Sequence, residues 1–151
     1  MTDHSAPGDV DHAAGHRRIL LAYDGTEGSR RALSFTAELA TALRAPIGVI
    51  SVAPERPNES TDDPGGEASA HAALLHEATK VLGDAGVTTQ THEPTGPVGP
   101  MIVEVAEAFG YDTIVVGSRD MGTLKRAVLG SVSTYVATHA TATVIIARGR
   151  T

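Results

Sequence analysis

Gly117-Ser118-Arg119-Asp120-Met121-Gly122-Thr123-Leu124-Lys125-Arg126-Ala127-Val128-Leu129-Gly130-Ser131-Val132-Ser133 follows directly on the apolar run Thr113-Ile114-Val115-Val116. That run has the pattern of a buried strand, and a helix is expected to begin at Ser131, so a strand end and a helix start are aimed at one place. Such a place can hold phosphate, because the amides of Ser131, Val132 and Ser133 are the unpaired donors of a helix N-terminus. On this reading Gly117 lets the chain turn off the strand without a Cβ penalty, and Gly130 allows a ligand to approach the backbone. The hydroxyls of Ser131 and Ser133 add hydrogen bonds to phosphate oxygens, or one of them caps the helix.

Outward from this stretch, strands and helices alternate. Ile19-Leu20-Leu21-Ala22-Tyr23 reads as a strand covered on both faces, followed by the turn Asp24-Gly25-Thr26. From about Glu27 to Leu43, the residues Ala32, Leu33, Phe35, Leu39, Ala40 and Leu43 share one side of a helical wheel. Ile47 to Val52 is a second strand, and about Glu67 to Ala85 a second helix with Ala70, Leu74, Ala78, Val81 and Leu82 on its apolar side. Val87 to His92 alternates and is rich in β-branched residues, as an exposed edge strand would be. A third helix carries Ile102, Val105, Ala106 and Phe109 and ends at Gly110; Asp112 to Val116 is the fourth strand. Ser131 to about His139 is the fourth helix and Thr143 to Ala147 the fifth strand.

Five strands separated by helices predict an α/β fold, a parallel sheet with right-handed crossovers and helices on both faces. Ligands of such sheets sit outside the carboxyl ends of the strands, where the winding direction reverses. The first and fourth strands flank that point, which puts Asp24 and Gly117 across one crevice.

Composition narrows the function classes. The 151 residues suit one domain, with Met1 to about His16 a disordered tail and residues 17–149 the folded unit. His4, His12 and His16 in that tail read as solvated side chains, since no rigid element fixes them as metal ligands. Residues from Pro54 to about Gly66 are polar and proline-rich and are expected to form a mobile surface loop, a candidate lid. The absence of cysteine removes disulfides and thiolate chemistry and fits a reducing interior. A net charge of -6 argues against nucleic acid as the main partner. No apolar stretch approaches the roughly 20 residues needed to span a bilayer, and the polar, acidic N-terminus is unlike a signal peptide, so a cytoplasmic protein is expected.

Catalytic motifs are missing too. Neither Gly-x-Ser-x-Gly nor a Gly-x-x-x-x-Gly-Lys-Ser/Thr loop occurs, so neither a serine hydrolase nor a fast P-loop ATPase is indicated. His71 and His76 fall on different sides of a helix, which disfavours a shared metal, and His92 and His139 read as solitary. No catalytic residue and no metal ligand is assigned.

From about Arg18 to Arg148 the residues resemble the universal stress protein family. The opening Ile19 to Glu27 is similar to the family's strand and Asp-Gly-Ser turn. The later block is similar to its nucleotide signature of a glycine, two residues, a glycine, nine residues, a glycine and then serine or threonine. Gly117, Gly130 and Ser131 keep that spacing, whereas Asp120 stands where ATP-binding members carry the middle glycine. A carboxylate there opposes a triphosphate unless it faces solvent or shares a Mg2+ ion.

The resemblance implies a Rossmann-like sheet of order 3-2-1-4-5. It also implies that Asp24 lies near the ribose and adenine, and that Ala22 and Val52 line the adenine pocket. Gly117, Arg119, Gly130, Ser131, Val132 and Ser133 would belong to the ribose and phosphate side. It further implies homodimers paired through the last strand, Val144 to Ala147. Three functional readings follow: a sensor or regulator that binds an adenine nucleotide, ATP with Mg2+ foremost; a nucleotide-independent dimer that scaffolds or protects partner proteins; and a slow ATPase or a protein that phosphorylates itself on Ser131 or Ser133.

Overall fold

The computed structural model describes residues 17–53, 66–120 and 127–148, with backbone alone at 66–69, 119–120 and 127–128. The expected tail lies outside the described residues, as does the expected loop and candidate lid from Pro54 as far as residue 65, while Gly66, its expected end, already belongs to a helix. The elements run β1 (Ile19–Ala22), α1 (Glu27–Leu43), β2 (Ile47–Ile50), α2 (Gly66–Asp84), β3 (Thr89–His92), α3 (Val98–Phe109) and β4 (Thr113–Gly117). Then come β5 (Arg119–Asp120), β6 (Ala127–Val128), α4 (Ser131–His139) and β7 (Thr143–Ala147).

The main sheet has the order β3-β2-β1-β4-β7 and is parallel throughout, so the predicted 3-2-1-4-5 order holds with β7 as its fifth strand. The short antiparallel pair β5–β6 inside the loop is not foreseen by the sequence.

The pleat sorts the apolar strand residues into two cores. Ile19 and Leu21 of β1, Ile47 and Val49 of β2 and Val115 of β4 point to one side, where they pack with Ala32, Leu33 and Ala40 of α1 and Leu75, Ala78 and Leu82 of α2. Leu20, Ile50, Ile114 and Val116 point to the other, against Ile102, Val105 and Ala106 of α3 and Val136 of α4. Both faces are covered, which is why β1, β2 and β4 are runs of apolar residues without polar alternation.

Helix ends follow local chemistry. Thr26 caps α1 by accepting a hydrogen bond from the Ser29 amide at 3.3 Å. Gly110 closes α3 in the left-handed conformation at φ 73. Arg44 does the same for α1 at φ 53, the one non-glycine residue with positive φ among the described residues.

Two glycines set the layer spacing. An ideal Cβ on Gly28 would overlap the Ser118 carbonyl oxygen, and one on Gly117 would overlap the Gly28 carbonyl. The first turn of α1 therefore rests backbone to backbone on the end of β4. Gly117 does not have a positive φ, so close approach, and not the turn assigned from sequence, is what demands glycine there.

Elsewhere the structure departs from the wheel assignments. Phe35, Leu43, Val81 and Phe109 are each roughly two-fifths exposed, so these apolar positions are only partly covered by the layers around them. Val87 and Thr88 precede β3 and Asp112 precedes β4, so all three fall outside the strands expected to include them. His92 is not solitary. It is buried, its Nε2 lies 2.7 Å from the Tyr111 hydroxyl, and its ring packs on Phe109 at 4.6 Å. Gly48 makes room for that phenol, since a Cβ there would overlap the Tyr111 hydroxyl. His139 is partnered as well, stacking on Tyr135 at 3.9 Å with its Nδ1 3.0 Å from the Tyr135 carbonyl.

Three outcomes are expected. Arg44→Gly removes a strained left-handed side chain and should raise stability by about 0.5–1 kcal/mol, read as a higher midpoint in urea. Gly28→Ala inserts a methyl between two backbones and should cost about 1–3 kcal/mol in the same assay. Burial lowers the His92 pKa below its ordinary 6.5, so the unfolded chain binds the proton more tightly. The stability this group contributes is complete above pH 6.5 and is lost as pH falls toward the lower folded value. Melting at pH 7.5 and 5.5 should accordingly show a smaller acid-induced drop for His92→Gln than for the parent chain.

Candidate functional site

At the carboxyl ends of β1 and β4, where the sheet order reverses, lies a crevice of about 300 Å3. Its floor and one wall are apolar, built from Ala22, Ile50, Val52, Val98, Ile102 and Val116. These come from the α3/α4 face of the sheet, as the pleat dictates. The slot suits a flat, weakly polar ring.

Asp24 stands at one rim. Its Oδ1 accepts hydrogen bonds from the Thr26 amide at 3.0 Å and the Thr26 hydroxyl at 2.6 Å, while the Asp24 amide donates to Ser29 Oγ at 3.3 Å. The Ser29 hydroxyl in turn donates to the Thr26 carbonyl at 3.0 Å. This closed set of bonds holds the carboxylate on the turn before α1 and leaves its second oxygen toward solvent, since the residue is exposed. A carboxylate so fixed is an acceptor for hydroxyl donors.

Opposite it, α4 begins. Gly130 is the N-cap, at φ -70 and ψ 171, and no side chain caps the helix. The amides of Ser131, Val132 and Ser133 are left to external acceptors, and the helix dipole favours an anion there. Ser133 is not such a donor through its hydroxyl: it is buried, and its Oγ donates to the Gly117 carbonyl at 2.9 Å, which ties α4 to the end of β4. Of the two serines considered for phosphate contact or modification, Ser131 alone is exposed.

Ala22, Asp24, Val52, Gly117, Gly130, Ser131, Val132 and Ser133 all line this one crevice. The side chain of Arg119 lies outside the described residues, as does that of Asp120. Ser29, Val98, Ile102 and Ser118 also line the crevice and are not picked out by the sequence reading. Ser118 shares the pleat face of Val116, which the alternation along β4 could have revealed. Its hydroxyl is buried without a hydrogen-bond partner, an orphan polar group in the wall.

Charge in the site is sparse. Among the described wall residues Asp24 is the sole ionisable side chain apart from Tyr23, and none is Lys or Arg. Burial, followed by the nearby Glu77 carboxylate, holds the Tyr23 phenol above its ordinary pKa, so it stays neutral at physiological pH. No group of three His, Asp or Glu side chains among the described residues could hold a metal ion. The apolar slot, the fixed carboxylate and the uncapped helix start do fit the base, ribose and phosphate of a nucleotide.

Comparison with known proteins agrees with this architecture. The chain is 27% identical to the stress response protein NhaX of Bacillus subtilis, over 87% of this chain and 97% of that one. It is 29% identical to the universal stress protein YxiE of the same organism, over 87% and 98%. Among solved structures, hypothetical protein MJ0577 superposes with a TM-score of 0.76 at 24% identity, over 89% of this chain and 97% of that one. A universal stress protein in complex with cAMP superposes at 0.69 and 25% identity, over 88% and 97%. One from Archaeoglobus fulgidus in complex with dAMP superposes at 0.69 and 22%, over 87% and 97%. The family model for universal stress proteins matches residues 15–148, which includes every residue the structure describes, and with the strand order and crevice in place the chain belongs to the universal stress protein family.

Proposed function

We propose that this chain is an adenine-nucleotide-binding module whose ligand is ATP accompanied by Mg2+, working as a cytoplasmic homodimer in which occupancy alters contacts with partner proteins under stress. One observation carries the reading: the uncapped start of α4 and the fixed carboxylate of Asp24 face each other across an apolar slot of nucleotide size. The base packs between the β2 end and α3, the ribose hydroxyls meet Asp24, and the phosphates meet the amides of residues 131–133. Relatives of the same fold bound to cAMP and dAMP support the class of ligand. Binding without rapid turnover follows from the absence, among the described wall residues, of a histidine or second carboxylate to activate water.

Dimerisation through β7 is supported by its place at the sheet edge and by partly exposed apolar residues from Val144 to Ala147. No described helix is long and apolar enough to cross a membrane.

A second reading, a nucleotide-independent scaffold, has its own support. Asp120 replaces the middle glycine of the nucleotide signature, and the described wall holds no cation to offset a triphosphate. Calorimetric titration with ATP, ADP and AMP decides between them. The first reading expects binding heat and a rise in melting temperature, with stabilisation of about 2.7 kcal/mol once ligand reaches a hundred times its Kd. Gly130→Val should weaken binding about tenfold or more, about 1.4 kcal/mol, with the fold retained. Silence at millimolar nucleotide would leave the scaffold.

A further inference from the structure

No described side chain of α2 lines the crevice, yet one stripe of the helix reaches the back of it at three points. His71 places Nδ1 2.8 Å from Ser51 Oγ. Ser51 is buried and sits between Ile50 and Val52, both of which line the crevice. Three residues on, the Leu74 side chain covers Gly25, where an ideal Cβ would lie 2.5 Å from Leu74 Cδ2. Gly25, at φ 78, joins Asp24 to Thr26, which again both line the crevice. Three further on, Glu77 pairs with Arg30 at 3.5 Å, one residue past Ser29.

The stripe is not what packing alone would select. His71 lies seven residues, two helical turns, before Ala78 and so faces the same way as Leu75, Ala78 and Leu82, which are all buried core residues. An apolar side chain at 71 would continue that core. A histidine instead satisfies a buried hydroxyl at the strand end, which would otherwise lose its partner. The Arg30–Glu77 pair is half exposed and adds little by itself.

We propose that His71 and Leu74 are positioning residues for the crevice: from behind the sheet they hold the end of β2 and the Asp24 turn in ligand-ready geometry. It rests on the reading of the crevice as a nucleotide site. Because coupling is reciprocal, ligand in the crevice must tighten the docking of the first half of α2. The side chains touch no ligand; they act through the backbone at 24–26 and 50–52.

Hydrogen exchange of the full chain, with and without saturating AMP, tests this on His71→Leu, His71→Asn, Leu74→Ala and, as a control on the same core, Leu82→Val. Asparagine can offer an amide near the position of Nδ1, so it should behave as the parent chain. Without ligand, His71→Leu and Leu74→Ala should speed exchange at residues 24–29 and 50–53 about tenfold, beyond any global loss of stability, whereas Leu82→Val should not. With AMP bound to the parent chain, amides 70–78 should slow, and both variants should bind AMP about tenfold more weakly. Unchanged exchange at the two segments, an equal change in Leu82→Val, or AMP binding that leaves 70–78 unaffected would overturn the proposal. If neither AMP nor ATP binds, the nucleotide reading fails by itself, and the ligand-free comparison still decides whether the helix positions the crevice.

Discussion

The contact on which the rest depends is the backbone-to-backbone seat of α1 on the end of β4. Without side chains at Gly28 and Gly117 the first turn of a helix comes as near to a strand as peptide groups allow. That closeness brings the β1–α1 turn, with its carboxylate, within one nucleotide's reach of the strand from which the α4 segment departs. Ser133 completes the arrangement by pinning α4 to the same carbonyl end of β4. A crevice of defined width is the outcome, held by main-chain sterics and one buried hydroxyl.

Much of this was legible in the residues. Ile19-Leu20-Leu21, Ile47 to Ile50 apart from Gly48, and Ile114 to Val116 are apolar without polar alternation, as strands buried on two faces require, and alternating with helices they lead to the doubly covered sheet. Gly117, Gly130 and Ser131 to Ser133 followed from where a strand end meets a helix start and Asp24 from the reversal of the sheet, whereas Ala22, Val52 and Arg119 came with the family resemblance. What stayed hidden depends on tertiary neighbours. Nothing local in Gly117 distinguishes a turn glycine from one pressed against another backbone. Periodicity puts Phe35, Leu43 and Phe109 on apolar faces, yet cannot tell how much of each side chain its tertiary neighbours cover. The partner of His92 lies nineteen residues away, in the connection before β4, and only the fold brings the two rings together.

The His92–Tyr111 pair shows how a small strand residue can serve a polar one. Gly48 opens a gap in the middle of β2, and the Tyr111 hydroxyl fills it and meets the imidazole there. Arg18 lies over the phenol ring, 5.5 Å from its centre. Four segments far apart in sequence are thus joined around Tyr111, a member of the second core.

The sheet also divides its labours. Apolar side chains that would meet a ligand, such as Ile50, Val52, Ile102 and Val116, belong to the core on one side, while Leu75, Ala78 and Leu82 belong to the other. Alternation along each strand keeps the two sets independent, since neighbours in sequence face opposite ways. A lineage could therefore exchange residues on the ligand side, and so drift from one guest to another, while the opposite layer kept the scaffold upright.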